Sequence, residues 1–192
     1  MPIAPRLLAM TLAPALALAA LTTAPAFAAL PQMQMSAPDS AKPLPSPPAD
    51  ADVTLNGKSV AIHYNTPLMR GRKIMGGLVP YGKVWRTGAN PATDFKTATA
   101  LKIGDATVPA GHYTLYTLPS EGTWQLIINK QTGQWGTKYD QSQDLIRVPM
   151  HKETLPKPQE KMSISFEHTQ GAHTQLHVRW ETTDVWVPVT AK

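Results

Sequence analysis

Apolar and polar residues alternate with a period of two through much of the chain from residue 58 to residue 189, and no stretch keeps a helical period. Residues 58–64 place Val60, Ile62 and Tyr64 on one face. Residues 95–103 read as one strand, with Phe95, Leu101 and Ile103 on one side and Lys96 and Lys102 on the other. Residues 112–118, bounded by Pro109-Ala-Gly111 and Pro119, are filled on both faces. Residues 124–129 follow the Ser120-Glu-Gly122 turn as a hairpin partner. Residues 145–150 make a further strand. In 161–168, Met162, Ile164 and Phe166 alternate with Lys161, Ser163, Ser165 and Glu167. After a turn containing Gly171, Leu176, Val178 and Trp180 alternate with His173, Gln175, His177 and Arg179 over 172–181, and 184–189 is the last strand. About eight to ten such strands predict an all-β domain over 51–190, an antiparallel β-sandwich of jelly-roll-like or related barrel form.

Upstream the pattern changes. Arg6, the apolar run 7–21 broken by Pro14, and the small-x-small triplet Ala26-Phe27-Ala28 predict a signal peptide over 1–28, cleaved after Ala28. The run is too short to span a bilayer comfortably. Residues 29–50 hold Pro31, Pro38, Pro43, Pro45, Pro47 and Pro48 with few large apolar groups, the composition of a disordered linker. The expected address is the periplasm or the exterior of a bacterial cell. With no cysteine in the chain, disulfides, thiol nucleophiles and thiolate metal sites are excluded.

The net charge of +5 is modest, and its distribution matters more than its size. Between Val53 and Thr93 there is no acid, while Lys58, Arg70, Arg72, Lys73, Lys83 and Arg86 are all cationic. No nucleic-acid partner is expected without a basic face interleaved with stacking aromatics. The segment 70–90 combines those arginines with five glycines, Tyr81, Trp85 and Asn90. Arginine clamps carboxylates or phosphates with paired hydrogen bonds, and amides near glycines cradle anions. A flat face from Tyr81 or Trp85 suits a sugar ring or a cation. The structural alternative puts both aromatics in the core and pairs Arg86 with Asp140 or Asp144. Trp135, flanked by Gly133 and Gly136, is expected to plug the end of the sandwich, with an exposed stacking platform as the alternative.

Catalytic signals are sparse. There is no nucleophile elbow and no His-Glu-x-x-His. Asp140 and Asp144 could act as paired carboxylates of a hydrolase, although loop aspartates more often cap turns or pair with arginine. A register with Glu167 opposite His173 and Ser163 opposite His177 gathers zinc-type ligands on a face that alternation marks as solvent-facing. Strand residues four apart are about 13 Å apart, so no metal and no cofactor is expected there.

The run Gly71-Arg-Lys-Ile-Met-Gly-Gly-Leu-Val-Pro-Tyr-Gly-Lys-Val-Trp-Arg-Thr-Gly-Ala-Asn90 resembles the signature of a bacterial domain-of-unknown-function family, number 2911. Pro109-Ala-Gly111, Asn129-Lys130 with Gly133-Gln-Trp-Gly136, Tyr139-Asp140 with Asp144 and Arg147, and Trp180-Glu181 extend the resemblance over about 55–190. It implies an exported, mostly β domain and brings no activity with it. The pattern often has Glu after the Asn, where this chain has Pro91, so any role for a carboxylate there is lost. The expected function is a non-catalytic ligand-binding module for an anionic small molecule, glycan or peptide, using Arg70, Arg72, Tyr81, Trp85, Arg86, Asn90 and Trp135. A hydrolase and an envelope protein whose basic face meets a membrane surface without spanning it are the alternatives.

Overall fold

The structure, a computed structural model, describes residues 45–192. The expected signal peptide and the first part of the expected linker lie outside those residues. Among the described residues, nine strands form one open antiparallel sheet: β1 (Pro48–Leu55), β2 (Lys58–Asn65), β3 (Thr93–Thr97), β4 (Leu101–Ile103), β5 (Ala106–Val108), β6 (Gly111–Leu118), β7 (Trp124–Asn129), β8 (Asp144–Gln170) and β9 (His173–Ala191). Their spatial order is β1-β2-β3-β6-β7-β8-β9-β4-β5.

Three expectations about strand limits are corrected. β1 begins at Pro48, inside the stretch read as linker. It is an edge strand, where the missing proline N–H breaks no ladder, and it buries Ala51 and Leu55. The run 95–103 is two strands. β3 pairs with β2 and β6, whereas β4 pairs with β5 and β9. Phe95, Leu101 and Ile103 all still reach the core, because alternation reports which side a residue faces and not which neighbour its backbone pairs with. Finally, the four segments expected after residue 144 merge into two long strands. The first part of β8 pairs with β7 and the remainder with β9, with register shifts between Thr154 and Gln159 and between Gln159 and Ser163.

Those irregularities let the sheet fold over itself. The Tyr64 hydroxyl of β2 accepts from the Ile164 amide of β8 at 3.0 Å and donates to its carbonyl at 3.3 Å. Nearby, the Met162 amide donates to Pro67 and the Met69 amide to Glu160. Val60, Ile62 and Tyr64 meet Leu126 and Ile128, Met162 and Ile164, and Leu176, Val178 and Trp180 in one core, on the faces that alternation predicts.

Candidate functional site

The basic segment leaves β2 and crosses the end of the sheet as irregular backbone. Glu181 of β9 anchors it: the carboxylate accepts from the Ile74 amide at 3.2 Å and the Met75 amide at 3.3 Å. The amides expected to cradle an external anion thus hold one of the protein's own. Gly76, at φ +74°, lets the chain turn where a Cβ would press on the Tyr81 ring. Ile74, Met75 and Val79 are buried behind this turn, whereas Leu78 is 48% exposed.

Beyond it, Trp85 pairs its backbone with Thr117 in β6, and its ring lies between Trp180, stacked at 5.9 Å, and Trp124, edge-on at 6.4 Å. The outcome lies between the two readings of Trp85. The ring is half-buried against the core, and it also forms the wall of a cleft of about 290 Å³. Arg72, Leu78, Arg86 and Trp180 line the same cleft, and Ser46 and Gly88 close its sides. Trp85 and Arg86 also line a second, shallower hollow together with Lys83 and Tyr139.

Arg86 is the unusual group. Its Nε is buried and has no hydrogen-bond partner, and among the described residues no carboxylate lies within ion-pair distance of it. Burial pushes the guanidinium below its ordinary pKa, with the Tyr116 hydroxyl acting the other way. A Cβ at Gly136 would overlap Arg86 Cδ, so that glycine is required by the path of the arginine. The pairing of Arg86 with Asp140 or Asp144 does not occur. Asp144 instead accepts from Arg147 Nε at 2.7 Å, the Tyr139 hydroxyl at 2.6 Å and Asn129 Nδ2 at 2.8 Å. Burial, then the bond to Asp144, pushes the Tyr139 hydroxyl up to about 12. Asp140 caps the short 3-10 turn Gln141–Gln143 by accepting from the Ser142 amide and hydroxyl. Both aspartates therefore have structural partners: Asp144 is held by three donors, and Asp140, exposed, is a turn cap through Oδ1.

Of the seven residues read as ligand-binding, the cleft gathers Arg72, Trp85 and Arg86. Arg70, in a left-handed conformation at φ +51°, donates to the Pro45 carbonyl at 2.9 Å and ties down the segment leading into β1. Arg72 reaches back to the Leu68 and Met69 carbonyls, which leaves it fixed at the rim. Tyr81 packs on the core. Asn90, at φ +62°, turns the chain and accepts from the Gly136 amide at 3.2 Å. The expectation that Trp135 plugs the sandwich is corrected. It is 54% exposed, because its loop is pinned through Gly136 and the Pro91–Trp135 bridge to the outside of the segment 86–91.

A second polar constellation was misread from sequence. In the β8–β9 hairpin Ser165 faces His177, Glu167 faces Gln175 and Gln170 faces His173, two to three residues away from the expected register. The tight Gly171-Ala172 turn and a bulge between Glu167 and Gln170 set this pairing. The face is not open to solvent at His177, which is 4% exposed. Asp184 accepts from His177 Nδ1 at 2.9 Å and from Arg179 Nε at 2.7 Å. Arg179 also grips Glu167 with both terminal nitrogens. Seven residues of straight strand would span about 23 Å, so the His177–Asp184 bond requires the bend at Glu181, where φ is +55°. The only sequence signal for it was the break in alternation at 182–183.

Arg179 first, then Ser165, lower the Glu167 carboxyl to about 2 from an ordinary 4.5, against the opposing effect of burial. A carboxyl depressed in the folded state contributes stability above its unfolded pKa and loses it as pH falls towards the folded one. Discounted for partial exposure, the contribution is about 1–3 kcal/mol. Denaturant unfolding between pH 5 and pH 2 should therefore show a steeper loss of stability in the native chain than in Glu167→Gln. Parallel curves would remove Glu167 as the cause.

Neither a curated protein nor a solved structure matches the chain. The sequence profile described as "Protein of unknown function (DUF2911)" matches residues 46–189, from just before β1 into β9 and including every residue of the cleft. The chain belongs to this family.

Proposed function

We propose that this domain is a non-catalytic binding module of an exported, periplasmic or secreted protein, and that its ligand carries an anionic group on a flat or apolar body. A small acid, an acidic glycan or an acidic peptide has that chemistry. The observation that carries this reading is the buried, unpartnered Arg86 Nε in a cleft wall shared with Trp85. A buried donor without an acceptor costs about 1–3 kcal/mol, which a ligand oxygen would recover once a small shift of the cleft wall uncovers Nε, closed to solvent in this structure. Arg72 at the rim adds positive charge, and Trp85 with the exposed Leu78 offers a surface for the ligand body. The full engagement of Asp144, and the use of Asp140 as a turn cap through Oδ1, weigh against the hydrolase alternative, which needs the two as a working pair. Export is a proposal that rests on the leader sequence alone.

A thermal-shift series on the purified chain, against uronic acids, sugar phosphates, acidic peptides and their neutral counterparts, tests the reading. An acidic compound at about one hundred times its Kd should add roughly 2.7 kcal/mol of stability. In Arg86→Gln its affinity should fall about 10- to 100-fold, as expected for a lost charged hydrogen bond. Silence across the acidic compounds, or equal affinity in a folded Arg86→Gln protein, would overturn the proposal.

A further inference from the structure

Outside the cleft, the β8–β9 hairpin brings together three groups, of which alternation places Glu167 and His177 on one face with His173 but leaves out His168. One ligating atom each from Glu167, His168 and His177 lies within 4.8 Å of the other two. We propose that these residues form a binding site for a transition-metal ion of the zinc kind.

The backbone accounts for the convergence. Glu167 and His177 lie diagonally across the ladder on one face, with Glu167 facing Gln175, Ser165 facing His177 and the Phe166–Leu176 pair between them. His168 would point to the opposite face in a regular strand. It sits instead in the bulge between Glu167 and Gln170, with φ at +53°, an uncommon conformation for a residue that has a Cβ. Bulges re-aim side chains, and here the result is a histidine turned towards the other two ligands.

Chemistry and charge agree with this placement. Two imidazoles and one carboxylate are borderline nitrogen and oxygen donors, suited to zinc and its neighbours and poorly suited to calcium or magnesium. His177 is oriented by Asp184 at 2.9 Å, the arrangement in which a carboxylate fixes a metal-bound imidazole. Glu167 and Asp184 carry two negative charges against the single positive charge of Arg179, so with neutral histidines the cluster keeps one negative charge for a cation to offset. Arg179 does not exhaust Glu167, since a carboxylate offers about four lone-pair positions. Tetrahedral ligation at about 2.0–2.1 Å places donor atoms about 3.4 Å apart, so from separations of up to 4.8 Å the cluster must tighten by up to about 1.4 Å. The exposed His168 ring can supply that movement, and its solvent side leaves a coordination position open to water.

The test is titration calorimetry of the tag-free, metal-stripped full chain with zinc chloride, with cobalt absorption as the spectroscopic counterpart. One equivalent should bind per chain, cobalt should give a tetrahedral-type visible band, and excess magnesium or calcium should not compete. His168→Ala leaves the buried network intact and should weaken zinc binding at least 10-fold. His173→Ala, which removes a neighbouring histidine bonded to Thr190, should leave it unchanged. No saturable binding, or equal binding in native and His168→Ala proteins, would overturn the site.

Discussion

Trp180→Ala is expected to lower stability by about 3–5 kcal/mol, the range for truncating a large buried aromatic, and to abolish the cleft as a shaped site. Trp180 is 2% exposed, stacks on Trp85 at 5.9 Å and donates its indole N–H to the Glu160 carbonyl at 3.1 Å. Removing it leaves a void beneath Trp85, which would be free to fall inward and carry Arg86 with it. For a domain of this size the loss corresponds to roughly 10 °C in melting temperature. Trp180→Phe keeps a stacking ring and should cost much less. Thermal and denaturant unfolding of the two variants checks this. A loss below about 1.5 kcal/mol in the alanine variant would mean that the Trp85–Trp180 stack does not support the site.

Asp184→Ala is expected to be comparably damaging, by about 3–5 kcal/mol, for an electrostatic reason. Asp184 is 3% exposed and holds two groups at once, His177 Nδ1 and Arg179 Nε. Without it, His177 keeps a buried ring nitrogen with no carboxylate, and Arg179 retains only Glu167 on one side. The bend at Glu181 also loses the bonds that draw its two arms together, so local opening of β9 should accompany the global loss. Asp184→Asn, which preserves shape and one acceptor, should fall between. Urea unfolding supplies the energies, and amide exchange across residues 177–186 the local effect. If alanine and asparagine cost the same small amount, the charge of Asp184 is not what holds the bend.

These two residues illustrate what could be read in advance. Trp180 was legible as a core position, because Leu176, Val178 and Trp180 alternate with polar neighbours. Its partnership with Trp85 was not, since 95 residues and the six strands β3 to β8 separate them. Asp184 reads in sequence as the first residue of a strand. Nothing local shows that a bend returns it to His177 and Arg179. Trp135 failed in the opposite sense, because two glycines around a tryptophan are compatible with a plug and with a platform, and only the anchoring of its loop decides between them. The expected pairing of Ser163 with His177 failed by two residues, since Ser165 faces His177, and a slip of two leaves the paired side chains on their expected face and is therefore invisible to alternation.

By itself, the sequence determined that the protein is a β domain, which residues face its core, that no cysteine chemistry operates, and, through the run 71–90, the family. Each of these is local: it depends on residue types two positions apart or on one contiguous signature. The tertiary structure alone decided that Glu181 takes the amides of the glycine-rich turn, that Arg86 is left without an acid beside Trp85, and that His168 and His177 converge with Glu167. Those outcomes depend on bulges, bends and strand registers that bring distant segments together, and small shifts in any of them would give the same alternation with a different site.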